Sequence, residues 1–263
     1  MKFIAKHRIL MKIAATVLAV ALCISLIYLF EGLQVLSGLI SIVFLALMLV
    51  FINNAPNMML TKPQAIVENE CDPYPFLDAV DEALTFRLAP AVKQAMLINR
   101  AAALSWCGNK KEYCEMIKAI NIDAVSGVPT VNKYVYYHNL CDVYTIEGNY
   151  AAADAIYDKA EQLYSLLKPK LKDALLFTNR FAECEHLYRQ GEVALAREMA
   201  ELLINSAPTK MSQVAIMLFA ARLCIELGDN TAAREKLEAV IERGNRLYAV
   251  TEAKALLEPL YAE

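Results

Sequence analysis

The sequence predicts an all-α protein in which an N-terminal transmembrane helical hairpin precedes an α-solenoid of helix–turn–helix repeats. Three observations support this prediction. Two apolar stretches, each of about 20 residues, stand at the start of the chain, and four similar glycine-centred turns recur further on. The rest of the chain shows helical periodicity and no convincing strand-like alternation of apolar and polar residues. With 263 residues, the chain has room for one or two domains.

Charge is distributed unevenly along the chain. Residues 1–52 contain four basic residues and one acidic residue, whereas residues 53–263 contain 22 basic and 28 acidic residues. The first part therefore has a formal charge of +3 and the second a charge of −6. Phosphate binding needs concentrated positive charge, and the second part has no Lys/Arg-rich run. We therefore expect no nucleic-acid partner.

The first apolar stretch, 9–30, has Lys12 as its only charge, and the second, 33–52, has none. Each is long enough to cross about 30 Å of hydrocarbon as a helix. Glu31 and Gly32 lie between them, a charge that resists burial and a residue that permits a sharp turn. Residues 1–52 are thus predicted to form a membrane anchor with two spans.

Two other interpretations of this region fit less well. A cleavable signal peptide has a shorter apolar core, and a second apolar run would not follow it directly. A lipoprotein signal would place its lipidated cysteine at Cys23, but the large Leu22 precedes it. Small residues four apart would let the two spans approach closely, although Ala and Ser are also simply common in spans. These pairs are Ala15/Ala19, Ala21/Ser25 and Ser37/Ser41.

The orientation follows from the charges that flank the first span. Lys2, Lys6, Arg8 and Lys12 lie at its N-terminal end, and positive charge stays on the cytoplasmic side. Two crossings return the chain to that side. The prediction is a multi-pass protein of the cell membrane with a cytoplasmic C-terminal domain. The seven cysteines, odd in number and mostly within apolar helical stretches, suit a reducing compartment.

After the spans, residues 53–65 are rich in Pro and Asn and predict a short linker before a soluble domain at 66–263. Four turns then follow similar apolar helical runs. Glycine just past a helix end readily takes the left-handed conformation. Gly108, Gly148, Gly191 and Gly228 recur at intervals of 40, 43 and 37 residues, which is typical of a solenoid.

The second unit, 134–160, carries the repeat pattern most fully and reads YVYYHNLCDVYTIEGNYAAADAIYDKA. Small residues at Cys141 and Ala153 would let its paired helices approach. The unit resembles the tetratricopeptide repeat (TPR) family, which implies a superhelix of helix pairs. The positions that match the family pattern are Tyr137, Leu140, Cys141, Tyr144, Gly148, Tyr150, Ala153, Tyr157 and Ala160.

The other units keep this frame less strictly. They are predicted at 94–120, 177–205 and 214–241, and in the first of them Tyr113 stands where a small residue is expected. An amphipathic helix at 74–89 is expected before the first unit. A capping helix at 246–261 is expected after the last, with its charged residues facing water over the exposed end of the stack.

The arrangement most similar to a metal site is His138-x2-Cys141 with Cys184-x-His186. Its spacing departs from zinc patterns, and both cysteines stand at the small-residue position of the repeat. A Cys–His nucleophile needs a partly exposed, activated thiolate, and these cysteines are expected to be buried. We find no nucleophile elbow, phosphate-binding loop, metalloprotease motif or Rossmann fingerprint. The sequence therefore predicts that the protein is not an enzyme, and it gives no indication of a metal ion, a cofactor or a small-molecule substrate.

The family resemblance implies a concave groove that is lined by the first helices and receives peptides. Ile98 and His138 stand where the carboxylate-binding members of the family need lysine, so recognition of a C-terminal carboxylate is not expected. Each polar residue of the lining has a second interpretation as a solvated helix face. Trp106 could anchor a partner, but packing against a neighbouring helix is favoured. The predicted partner-binding residues are Asn99, His138, Asn139, Asp142, Arg180, Glu185, Tyr188 and Arg222, with Ile98 and Ala102 beside them.

Together these observations predict a membrane-anchored scaffold or adaptor that binds a protein or peptide partner. Two alternatives remain. One is a chaperone-like subunit of a secretion or envelope-assembly complex, with the repeats on the outer face of the membrane. The other is a membrane enzyme whose site carries no recognised motif.

Overall fold

The computed structural model describes residues 1–29 and 34–261 of the chain. Within them lie thirteen α-helices, one 3-10 turn at Ile122–Ala124 and no strand, which confirms the all-α prediction. The predicted turn at Glu31–Gly32 lies outside the described residues. The helices are α1 (Lys2–Lys6), α2 (Arg8–Leu29), α3 (Gln34–Glu70), α4 (Tyr74–Leu84), α5 (Pro90–Trp106), α6 (Lys110–Ala119), α7 (Thr130–Ile146), α8 (Tyr150–Ser165), α9 (Pro169–Arg189), α10 (Val193–Ser206), α11 (Lys210–Glu226), α12 (Asn230–Arg243) and α13 (Tyr248–Leu260).

The chain divides into two compact units. Unit 1 consists of Met1–Pro63 together with the short segment Thr85–Arg87, and unit 2 consists of Gln64–Leu84 and Leu88–Glu263. Unit 1 contains the two apolar helices, and unit 2 contains the repeats.

In unit 1, α2 and the first part of α3 are long and apolar enough to cross a membrane. Their large apolar side chains are mostly exposed, unlike those of a core helix, and this is the surface that hydrocarbon would cover. Several buried positions within the two apolar stretches are small. Ala15, Ala19, Ser37 and Ser41 are all buried, as expected if these spacings serve helix packing, whereas Ala21 and Ser25 are exposed.

The linker that the sequence predicts at 53–65 is helical, so that prediction is wrong. Helix α3 continues through Pro56 and Pro63 to Glu70. Each proline removes one backbone hydrogen bond, a loss that a helix tolerates when the neighbouring turns are held by packing. Ile52 and Ala55 are fully buried just before the first proline, and this packing offsets the loss.

In unit 2, four helix pairs follow one another: α5/α6, α7/α8, α9/α10 and α11/α12. The four turn glycines have φ between 72° and 86°, the left-handed conformation that the sequence predicts for them. In the second turn, the N–H of Asn149 donates to the carbonyl oxygen of Tyr144 at 2.9 Å, which closes the helix end. The Asn149 side chain then caps α8 through the N–H of Ala152 at 3.2 Å.

The first helix of each pair begins earlier than the predicted bounds, at residues 90, 130, 169 and 210 instead of 94, 134, 177 and 214. Proline explains two of these starts, because Pro90 and Pro169 occupy the first helical position, where no hydrogen-bond donor is needed. Before them, α4 ends at Leu84 rather than at residue 89.

The repeat frame is visible in which side chains are buried. Seven residues before each turn glycine lies a buried small residue, and five residues after it lies another buried residue, which is small in every pair but the first. These contacts set how closely the two helices of a pair approach. The residues before the glycines are Ala101, Cys141, Cys184 and Ala221, and those after them are Tyr113, Ala153, Ala196 and Ala233.

The two ends of unit 2 contact each other. Cys71, next to α3, is buried in one apolar cluster with residues of α11, α12 and α13, and its carbonyl accepts from the N–H of Arg246 at 3.2 Å. Trp106, at the end of α5, packs against the same cluster and lies 5.7 Å from Phe76, centroid to centroid. Helix α13 follows the last pair and packs on α12, as expected of a capping helix, but it also contacts α5, so this end of the stack is not left open.

Candidate functional site

Unit 2 has an open cavity of about 250 Å³ that is lined by α5, α6, α7, α11 and α13, and we call the side of unit 2 that carries it the inner face. Part of its lining is apolar, and four charged residues form what we call its polar end. A space of this size accepts one or two side chains, not a whole helix. The apolar wall includes Trp106, Met211, Leu218 and Leu247, and the charged residues are Lys110, Asp142, Arg222 and Glu252.

Each of the four charged groups at the polar end has a partner within the chain. The Glu252 carboxylate forms ion pairs with Lys110 and with Arg222, the second at 2.9 Å between Nη2 and Oε2. The hydroxyl of Tyr113 donates to Oδ2 of Asp142 at 2.8 Å. Tyr113 itself is fully buried, so it fixes the position of this carboxyl group.

A narrow crevice on the same inner face brings together His138 and Glu185 with Tyr134, Tyr157 and Glu161. Burial raises the pKa of the Glu185 carboxyl to about 8, and the nearby charge of Asp142 adds to this effect. Burial also raises the pKa of Asp142, although its bond from Tyr113 acts the other way. For His138, burial lowers the pKa, which favours the neutral ring.

Arg189, one helical turn after Glu185 on α9, has a side chain that is only 1% exposed. Its Nε donates to Oδ1 of Asp154 at 3.0 Å, and Nδ1 of His186 is 2.9 Å from the same oxygen. Its Nη2 is buried without a hydrogen-bond partner. Counting every group as ionised, the three cations Lys110, Arg189 and Arg222 stand against five carboxylates, namely Asp142, Asp154, Glu161, Glu185 and Glu252. Two negative charges are left over, in line with the raised pKa of Glu185.

The eight predicted partner-binding residues fall into two groups. Asp142 and Arg222 line the cavity, and His138 and Glu185 line the crevice. The other four line neither space. Asn139 donates to the carbonyl oxygen of Val135 at 2.7 Å, and Arg180 pairs with Glu183 at 2.7 Å.

Of the remaining two, Tyr188 packs edge-on against Phe219, with 5.9 Å between ring centroids, and it hydrogen-bonds Glu226. Asn99 is half-buried on α5.

The cysteines behave as packing residues. The thiol of Cys141 donates to the carbonyl oxygen of Ala153 at 3.3 Å, and the thiol of Cys184 donates to that of Ala196 at 2.9 Å. Burial raises the pKa of both thiols to about 12, so neither supplies a thiolate near neutral pH. Among residues 1–29 and 34–261, no group of three or more His, Cys, Asp or Glu side chains could hold a metal ion.

Four residues of the inner face were missed in the sequence: Lys110, Tyr113, Arg189 and Glu252. Only Tyr113 carried a signal, because a large phenol replaces the small residue of the repeat frame. Lys110 and Glu252 are separated by 142 residues, and no local pattern could pair them.

Compared with known proteins, the chain matches no protein-family model, no curated protein and no solved structure. Over the residues that the structure describes, the chain is an all-α protein with two helices long enough to span a membrane and four consecutive helix–turn–helix pairs.

Proposed function

We propose that this protein is a membrane-anchored scaffold of tetratricopeptide-repeat type that binds a protein or peptide partner on the inner face of its repeats. The observation that carries the proposal is the surplus of carboxyl groups there, with Glu185 and Asp142 as its centre. The pairs within the chain leave Glu185 without a full counter-charge, and burial of such a group is costly unless it is neutralised.

The partner that suits this face presents a lysine or arginine side chain within a short apolar segment. An ammonium or guanidinium group would neutralise the surplus charge and displace the proton of Glu185. Flanking apolar side chains would contact Trp106 and Leu218 in the cavity. Anchoring by α2 and α3 would hold such partners close to the bilayer and raise their effective concentration.

Site-specific photo-crosslinking in cells tests this proposal. A photoreactive phenylalanine analogue is placed at Ala215, which is exposed and lines the cavity, or at Leu202, which is 70% exposed outside it. We expect a discrete adduct from Ala215 alone, and we expect it to fall at least tenfold with Asp142→Asn and Glu185→Gln together. Equal adducts from both positions, or an adduct that these substitutions leave unchanged, would contradict binding at the inner face.

A further inference from the structure

A second cavity, of about 430 Å³, lies in unit 1 at the beginning of the first apolar helix. The segment that contains Arg87 belongs to the same compact unit. No carboxylate occurs among the residues that line this cavity. They are Lys6, His7, Arg8, Ile9, Leu10, Ile13 and Arg87.

Arg8 lines this cavity, and its guanidinium group is only partly hydrogen-bonded. The residue is only 9% exposed, and its Nη2 donates to Oδ1 of Asn53 in α3 at 3.1 Å. Its Nε, however, is buried without a hydrogen-bond partner. Native proteins seldom leave a buried charged donor unsatisfied, because the lost hydration is not recovered. An anion in the cavity would offset part of this cost through its charge, without a direct contact to Nε.

The charge of the lining determines the kind of ligand. Lys6, Arg8 and Arg87 are basic, and across residues 1–29 and 34–261 no ion pair or carboxylate hydrogen bond engages any of the three. An anion that accepts several hydrogen bonds is therefore favoured, and phosphate oxygens pair strongly with arginine.

Three further residues of the lining are apolar and exposed. Ile9, Leu10 and Ile13 are each more than half exposed, at 57%, 59% and 57%. They lie in the first two turns of a helix that is long enough to span a bilayer. Basic side chains next to an exposed apolar surface are complementary to a molecule that has a phosphate headgroup and a hydrocarbon tail.

We propose that this cavity binds the phosphate headgroup of an anionic membrane lipid. The Lys6 and Arg87 side chains and the guanidinium group of Arg8 attract the phosphate, and Ile9, Leu10 and Ile13 contact the first part of an acyl chain. This inference rests on the proposed membrane anchoring, because the lipid reaches the cavity only if α2 lies in a bilayer.

The test uses the full-length protein in a nonionic detergent, with bound lipid counted by native mass spectrometry. The probes are phosphatidylglycerol, phosphatidylcholine and inorganic phosphate. Lys6→Gln with Arg87→Gln removes two exposed cations and leaves the Arg8–Asn53 hydrogen bond in place. Arg8→Lys keeps the charge but removes Nε. Lys12→Gln is the matched control, since it removes one charge from the same helix outside the cavity.

In the natural protein, we expect phosphatidylglycerol to bind about tenfold more tightly than phosphatidylcholine. This preference should be lost in the double variant and reduced severalfold in Arg8→Lys. It should be retained in Lys12→Gln. Equal binding of the two lipids, an unchanged Arg8→Lys variant, or an equal loss in Lys12→Gln would overturn the inference. Displacement of the lipid by an equal concentration of inorganic phosphate would also overturn it, and would indicate a site for free phosphate.

The same sample separates this inference from the proposed anchoring. Protein reconstituted into vesicles is washed with alkaline carbonate and floated on a density gradient. If it floats without any preference for phosphatidylglycerol, the lipid site is wrong while the anchoring stands. If it is washed off the vesicles, the anchoring itself is wrong.

Discussion

Single residues on the inner face of unit 2 illustrate how burial alters acid–base behaviour. Glu185 and Arg189 are one helical turn apart on α9, and Asp142 and Arg222 face them from α7 and α11. Arg189 is already paired with Asp154, and Arg222 with Glu252. Neither cation therefore neutralises Glu185 fully, and its carboxyl group retains a proton near neutral pH.

This arrangement predicts how stability depends on pH. The pKa of Glu185 rises from 4.5 to about 8 on folding, so between these values the folded protein binds a proton that the unfolded chain releases. The contribution of Glu185 to the free energy of unfolding is greatest below about pH 4.5 and is lost as the pH rises through about 8. Glu185→Gln should therefore be more stable than the natural protein at pH 9, by on the order of 2 kcal/mol after solvent screening.

Urea unfolding at pH 5, 7 and 9, followed by the fluorescence of Trp106, measures this difference. The control is Glu183→Gln, a more exposed position on the same helix that pairs with Arg180. If the stability of the natural protein and that of the Glu185→Gln variant changed in parallel with pH, the pKa of Glu185 would not be raised on folding.

At the scale of elements, the turn glycines differ in what surrounds them. Gly108 and Gly148 both have positive φ, at 86° and 72°. A Cβ on Gly148 would meet nothing within 4 Å, whereas a Cβ on Gly108 would lie 2.3 Å from a ring carbon of Tyr248 in α13. Gly108 thus serves both the turn and the contact between the two ends of unit 2.

Alanine substitution should separate these two roles. Gly148→Ala is expected to cost about 1 kcal/mol, the usual penalty of a left-handed conformation with a Cβ. Gly108→Ala should cost at least about twice as much, because the Tyr248 ring must move away. Thermal unfolding gives the costs, and hydrogen exchange in α13 should become faster only in Gly108→Ala. Equal costs and unchanged exchange in α13 would mean that the ends of unit 2 do not depend on this contact.

The whole molecule raises the question of which side of the membrane the repeats occupy. The basic residues at the N-terminal end of the first span, Lys2, Lys6, Arg8 and Lys12, predict a cytoplasmic N-terminus, and two crossings predict cytoplasmic repeats. This orientation favours the scaffold over the chaperone-like alternative, which needs the repeats on the outer face.

Protease protection distinguishes the two orientations. With the natural chain carrying a C-terminal epitope, external trypsin should leave the epitope intact in sealed cells and remove it after lysis. Loss of the epitope in sealed cells would place the repeats outside. Reversing the charges of Lys2, Lys6 and Lys12 should then weaken the protection if those charges set the orientation.

The sequence by itself determined what depends on local pattern. Helix type, the four turns and the small residues at Cys141 and Cys184 follow from periodicity and from glycine stereochemistry, which act over a few residues. The continuation of α3 through Pro56 was not predictable in this way, because burial of its neighbours opposes the local preference of proline.

Only the tertiary structure decided which distant groups meet. The ion pair of Lys110 with Glu252 and the place of Trp106 between the two ends of unit 2 exist because α13 packs on α5. The unsatisfied Nε of Arg8 depends likewise on the approach of two helices. Burial and charge add up over such contacts in space, and a linear pattern of residues does not contain them.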